Sequence, residues 1–475
     1  MIENYLRYLE GRPLYVAGGA IRDRILKRYS PDIDIVVPSG ARELALDFAR
    51  RSGGTYILLD DEPCRKTERV VVKSHDETLV FDFTKMRGAS IEEDLGERDF
   101  TINAMALPLM DYLEGSFDSL IDPFGGRDDI CKKRIAVISD ETFRDDSLRM
   151  VRAFRFAAQL GFEIDIKTRK SIVQNRGRLK EVSWERIRDE FFNLLSVYSC
   201  APFVIDMDGL GLLEEIFPEI LSMKGVRQNG YHHLDVWGHT LLTLEKIEFV
   251  MREPEDYFGE YAPNFNEYLD SGFVPGRSRE SIIKFAAIFH DSGKPEARSE
   301  DTDGRVRFLG HEDAGKKIAE EAARRLKLSN REIGFVKDMV GDHMYLINLA
   351  FLGALSQKSI LRFFRKHTEE FRAYFILFLA DSMATLGPDV PEDRIPKSKR
   401  MTKEMLDIYY GEIKPRIETP PLITGRDLID KFGLSPDPFL GKILGKVEDA
   451  RMEGRIKDRE EAIRYAGKII RSKVE

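Results

Sequence analysis

Residues 14–37 read LYVAGGAIRDRILKRYSPDIDIVV, and the fold turns on this stretch. Leu14–Ala17 is a short apolar strand that ends in Gly18-Gly19, and Ala20-Ile21-Arg22-Asp23 opens a helix. A strand, a glycine turn and a helix start bring backbone N–H groups close to a phosphate, and Arg22 adds a cation to grip it. Asp32 and Asp34 then enter a second strand, Ile35-Val36-Val37, where alternation puts both carboxylates on one face. Two neighbouring carboxylates repel unless a cation lies between them, which suits Mg2+ aligned for phosphoryl transfer. Singly, Gly-Gly reads as a tight turn and Asp-x-Asp as a solvent-facing strand edge. Together within residues 18 to 34 they favour the functional reading.

Working outward, Ala41–Arg51 reads as a helix, and Tyr56–Leu59, Val70–Val72 and Leu79–Phe83 as strands. From about Thr142 the pattern is helical almost to the end. The expected fold class is therefore α+β, a small mixed head followed by an all-α remainder. Its 475 residues suit about three domains. Turn signals suggest pieces at 1–138, 139–222, 223–390 and 391–475. The polar stretch Arg252–Arg279, rich in Gly, Pro, Asn and Asp, reads as a long loop.

Composition narrows the class. Hydrophobic residues make up 42% and charged residues 33%, which excludes a disordered chain, and no apolar run reaches a membrane span. The start of the chain lacks a signal-peptide pattern, and Cys64, Cys131 and Cys200 are too scattered for a disulfide framework, so a cytoplasmic protein without membrane contact is expected. Net charge is −8, but Arg149–Glu190 holds eleven Lys/Arg against six Asp/Glu. That stretch fits either a polyanion partner or a solvated helical face. Oligomeric state leaves no signal.

Two further segments carry chemistry. One is Glu97-Arg98-Asp99-Phe100-Thr101-Ile102-Asn103-Ala104. The other runs from Thr142 to Phe156. On one continuous helix Asp145, Arg149 and Arg152 would share a face, with Val151, Phe154 and Ala158 turned into a core. Such a helix offers hydrogen-bond partners to a nucleobase edge, or simply an i,i+4 salt bridge.

The Gly18–Asp23, Asp32–Asp34, Arg98–Ala104 and Thr142–Phe156 segments together resemble the class II nucleotidyltransferases, a family of tRNA CCA-adding enzymes and bacterial poly(A) polymerases. Two departures stand out: Glu97 where an arginine is usual, and Asp145 where a glutamate is usual. The resemblance implies a polymerase-β-like head, with Mg2+ on the catalytic Asp32 and Asp34. It implies nucleotide contacts from Gly18, Gly19, Arg22, Arg98, Asp99, Asn103, Asp146, Arg149 and Arg152. It implies ATP and CTP as substrates and a tRNA 3′ end as acceptor. Ser183–Glu190 matches a helical motif that supports the neck, and the segment from Lys66 to Asp94 is expected to tell nucleotides apart.

A second constellation lies downstream. Seven of the eight histidines fall between His232 and His367. His290-Asp291 closes the apolar run Ile282–Phe289, and buried His-Asp neighbours are metal ligands or a costly pair. With His239 upstream and His311, His343 and Asp381 downstream, the order resembles the HD phosphohydrolase superfamily. That resemblance implies a centre for Mn, Fe, Ni or Zn that cleaves phosphoesters; His232, His233 and His367 are not expected as ligands. The tail from Pro421 resembles the C-terminal helices of HD-containing tRNA nucleotidyltransferases. Alternative readings are a poly(A) polymerase, a partial enzyme adding only CC or only A, and a phosphohydrolase whose head binds RNA.

Overall fold

The computed structural model describes residues 2–59, 67–74, 77–352 and 356–471. Cys64, Lys66 and His75 lie outside these residues. The chain divides into two compact units, 1–218 and 219–475.

The first unit carries one six-stranded sheet. Its strands are β1 (Tyr15–Ala17), β2 (Asp32–Val37), β3 (Thr55–Leu58), β4 (Thr67–Ser74), β5 (Glu77–Lys85) and β6 (Ala106–Pro108). Their order is β3-β4-β5-β2-β1-β6, with β2 and β5 parallel and the other pairs antiparallel. The edge strand β6 went unread in the sequence. Three residues give alternation too little length; pairing to β1 on one side and a bridge from Ala106 to Ile121 on the other define them. The helix Ala41–Ser52 covers β4 and β5 through Leu44, Ala45, Phe48 and Ala49 and stops at Gly53 in the left-handed region. Phe48 sits 4.8 and 5.3 Å from the rings of Phe81 and Phe83. Burying each such ring stabilises by about 1.5–3 kcal/mol, so this stack anchors the helix to the sheet's β5 side behind the aspartates.

The helix expected across 142–156 is broken. Thr142–Asp145 is one short turn, Asp146 is extended, and a second helix runs from Arg149 to Leu160. The Asp146 carboxylate accepts from Leu148 N at 3.2 Å, a local bond that competes with helix continuation. Asp145 therefore does not share a helical face with Arg149 and Arg152; it is exposed on the preceding turn. Val151, Phe154 and Ala158 are buried as the pattern required.

The second unit is helical, with two short hairpins among its described residues. Val236–Arg252, Arg279–Phe289, His311–Arg325, Asn330–Asp342 and Phe371–Ala384 form its centre. The stretch 252–279 is not a loop. It folds into helices Pro254–Phe258 and Ala262–Asp270 and a hairpin, Gly272–Val274 with Arg277–Ser278. Proline opens each helix at a position where its missing N–H is harmless, and Phe258 stacks on Phe265 at 3.6 Å. Arg279 then clamps the insert, bonding Ser271 Oγ at 2.8 Å and Glu370 at 2.6 Å. Three tail helices, Gly425–Phe432, Pro438–Met452 and Arg459–Arg471, share a small core around Leu428, Ile443, Val447 and Ala462. No helix among the described residues is long and apolar enough to cross a membrane.

Candidate functional site

In the first unit, Asp32 and Asp34 lie on β2 as expected, and the register adds a third carboxylate. Asp34 stands opposite Asp82 of β5. The sequence reading missed Asp82, although a charge between Phe81 and Phe83 in an apolar strand was the available signal. Arg69 of β4 holds Asp82 with two bonds of 2.8 Å. Burial pushes the Asp34 carboxyl up against the pull of Arg98, and Asp82 adds to the rise. Burial also raises Asp32, with Arg69 opposing and Asp82 reinforcing it. Asp32 and Asp34 on one strand face, with Asp82 held by Arg69 beside them, offer carboxylate oxygens of the kind a hard divalent cation takes.

Gly18 explains the glycine turn. Its φ is +72°, and a Cβ there would lie 2.4 Å from Arg98 Nη1 and 2.8 Å from Asp34 Oδ2. Only glycine lets the turn close over that pair. Arg98 reaches Asp34 at 3.6 Å and Asp94 at 3.7 Å, and its buried Nε has no hydrogen-bond partner.

The remaining head residues form one polar chain. Arg22 donates to Asn103 Oδ1 at 2.7 Å and to its neighbour Asp23 at 2.8 and 2.9 Å. Asn103 donates to Asp99 at 3.0 Å, and Arg152 pairs with Asp99 at 3.1 Å. Burial works against the ionised Asp99, but Arg152 and Asn103 outweigh it and lower its pKa. Arg149 turns aside and donates to the carbonyls of Glu97, at 2.7 Å, and Arg98, at 3.2 Å. Asp146 accepts from Arg186 at 2.6 Å. The Trp184–Leu195 helix was read as support; through Arg186 and Glu190, which holds Arg155 at 2.6 Å, it orders this chain directly.

In the second unit all six expected residues converge and are buried. His239, His290 and Asp381 form one group, and Asp291, His311 and His343 another, each able to close on one ion. Asp291 lies between the groups. Its Oδ2 is 3.2 Å from His290 and 3.6 Å from His239, and its Oδ1 is 3.6 Å from both His311 and His343. His239 Nε2 reaches Asp381 at 2.8 Å. His290, His311 and His343 each bond through Nδ1 to the carbonyl three residues earlier, at 2.7 Å. That bond fixes the tautomer and presents Nε2 to a metal. His290 Nε2 is buried and lacks a hydrogen-bond partner, as a ligand atom would. Burial opposes ionisation of Asp291, but Lys294, bonded at 2.6 Å, and His290 hold it well below the usual range. The donor set of imidazoles and carboxylates fits a divalent transition metal. His232 packs on His239 at 4.8 Å without joining either group.

Comparison with known proteins places this geometry. Residues 14–136 match the Poly A polymerase head domain, 161–224 the probable RNA and SrmB-binding site of polymerase A, and 236–394 the HD domain. An A-adding tRNA nucleotidyltransferase of Deinococcus radiodurans is 30% identical over 94% of this chain and 93% of its own length. The chain belongs to the tRNA nucleotidyltransferase family. Within that family, a CC-adding tRNA nucleotidyltransferase of Thermus thermophilus is also 30% identical, covering 94% of this chain and 92% of its own length. The fold is shared with the Thermotoga maritima CCA-adding enzyme complexed with tRNA, at a TM-score of 0.60 and 21% identity over 99% of this chain and 94% of that one. A CCA-adding enzyme solved with CTP gives 0.62 over the same shares of the two chains.

Proposed function

We propose that this family member adds CMP, AMP or both from CTP and ATP to the 3′ end of tRNA. The observation that carries this is the Asp32–Asp34 pair beneath Gly18, with Arg98 beside it. Mg2+ held by Asp32 and Asp34 would align the tRNA 3′-hydroxyl with the α-phosphate and neutralise the departing pyrophosphate. Gly18 and Gly19 give the triphosphate room for close approach, and Arg22 and Arg98 face it with positive charge. Asp99, Asn103 and Arg152 hold those cations in place, and Asp146 and Arg149 present the incoming base. Residues 1–138 are the catalytic head and 139–222 the neck that selects the nucleotide and binds RNA. Residues 223–390 are the HD domain, 391–475 the helical tail, and the cytoplasm is the site of action.

The HD centre is a metal-dependent phosphohydrolase in this reading. Two divalent ions held by His239, His290 and Asp381 and by Asp291, His311 and His343 would supply activated water and charge neutralisation. Its role is cleaning phosphorylated RNA ends before addition.

A partial enzyme is the favoured variant, because near-full-length relatives include A-adding and CC-adding proteins. The test extends tRNA transcripts ending before CCA, after CC and after CCA, plus oligo(A), with CTP and ATP singly and together. Products stopping at CC, or starting only from CC, support the partial enzyme. Growth through CCA makes it a complete one, long A-tails make it a poly(A) polymerase, and no growth on any acceptor refutes the nucleotidyl-transfer reading.

A further inference from the structure

Beside the six-ligand centre lies a cavity of about 390 Å3, within the range of small-ligand sites. Asp291, His311, His343 and Asp381 line it. So do two cations that no chemistry above uses, Arg305 and Arg394. Neither pairs with a carboxylate among the described residues, whereas their neighbour Arg307 bonds Asp301 at 2.5 Å. The Arg394 Nε is buried and has no hydrogen-bond partner. Arg305 is exposed at the cavity rim and Arg394 is half-buried, and two guanidiniums lining one cavity favour an anionic occupant.

The cavity also has an aromatic wall. Phe351 is 58% exposed and packs edge-on to Tyr231 at 6.2 Å, and Arg394 lies 5.9 Å from the Phe351 ring. The Tyr231 loop is fixed from behind. Gly387 N donates to Tyr231 O at 2.8 Å, and Asp389 N to Gly230 O at 2.9 Å. A Cβ on Gly387 would lie 2.3 Å from Gly230 O, so the two loops meet backbone to backbone. An exposed ring on a rigid base, next to cations, is the arrangement that stacks a nucleobase.

We propose that this cavity is a two-phosphate nucleotide subsite. The phosphate to be cleaved lies on the six-ligand centre, the base stacks on the exposed face of Phe351 with Tyr231 edge-on behind it, and a second phosphate on the 5′ side of the ribose is held by Arg305 and Arg394. The ligand is thus the terminal nucleotide of an RNA that ends in a 3′-phosphate, and the inference rests on the phosphohydrolase reading of this centre. In the reaction, the oxygen of water bonds to phosphorus as the bond to the ribose 3′-oxygen breaks. One proton of that water ends on the ribose oxygen, giving a hydroxyl and inorganic phosphate.

The test uses full-length protein loaded with Mn2+. Hydrolysis of adenosine 3′,5′-bisphosphate, of an oligoribonucleotide ending in a 3′-phosphate and of p-nitrophenyl phosphate is measured, with bisphosphate binding by calorimetry. Arg305→Ala and Arg394→Ala should each raise KM and Kd for the bisphosphate about tenfold or more, with a much smaller change for p-nitrophenyl phosphate. Arg394→Lys should recover part of the loss, and Phe351→Ala should weaken the bisphosphate selectively. Metal stoichiometry and tRNA extension report that each variant is folded. Equal losses on all three substrates, or none, would overturn the subsite while leaving the hydrolase standing. Arginine-dependent binding without hydrolysis of any substrate would overturn the hydrolase and leave the subsite. A wild-type preference for the free bisphosphate over the RNA end would overturn the RNA-end assignment.

Discussion

Gly18 and Asp34 show how one residue's geometry limits its neighbour's chemistry. A methyl group at Gly18 would strike both the Arg98 guanidinium and the Asp34 carboxylate. Gly18→Ala should therefore cut nucleotide addition at least a hundredfold, and melting temperature by several degrees through the left-handed strain. Single-turnover addition and a melting curve would check it; addition within threefold of wild type would contradict the close approach. Asp34 carries the opposite prediction for stability. Its folded pKa is raised, so ionised Asp34 costs the metal-free protein stability once pH rises past the unfolded value. The side chain is 43% exposed, so solvent screens much of that cost. Asp34→Asn should abolish addition and yet raise the melting temperature of metal-free protein by about 1 °C or less at pH 7, and Mg2+ should no longer shift that melting. An unchanged or lower melting temperature would show that Asp34 is not strained by its surroundings.

At the scale of elements, the break at Asp146 decides how the neck meets the head. Arg186 holds the far oxygen of Asp146 while Leu148 N takes the near one. Arg186→Ala should free this turn and raise KM for the incoming nucleotide about tenfold. Because the pair is partly exposed, stability should change by no more than about 1 kcal/mol. Steady-state kinetics with CTP and ATP would measure it, and an unchanged KM for both would remove Asp146 from the nucleotide site. The same element shows what the sequence made legible. The strand β5 could be read because one buried face forces alternation, as in Leu79–Phe83, and β2 because a run of β-branched residues follows its two aspartates. His290 and Asp291 could be read because histidine and aspartate at the end of an apolar helix have few other uses, and the other four from the histidine cluster and the order of residues that resembles the HD superfamily. The break at 146 could not, because a continuous amphipathic pattern runs through it and only a side-chain bond interrupts it. The 252–279 insert could not either. Its polar composition hides two short helices whose apolar residues, Phe258 and Phe265, find each other only in the fold.

On the scale of the whole molecule, the two centres fall in different compact units, with no residue in common. Asp34→Ala should remove nucleotide addition and retain phosphoester hydrolysis, and Asp291→Ala should do the reverse. Paired assays on both variants would check this, and loss of both activities in either one would show that the centres depend on each other.

The six clustered residues of the HD domain extend from His239 to Asp381, and Phe371–Ala384, which bears the last one, is also the last of the unit's central helices. Synthesis at about 5–20 residues per second takes roughly 7–30 s to cover that distance. Until Asp381 is made, the nascent chain carries His239 and then His290 without the carboxylate that completes their group. The head's aspartates and Arg98 have by then long been made. In the proposed reading, capture of the ion at His239, His290 and Asp381 is therefore a late event in the life of each new chain, and the time at which that ion becomes exchange-resistant would mark the closing of the unit's central helices.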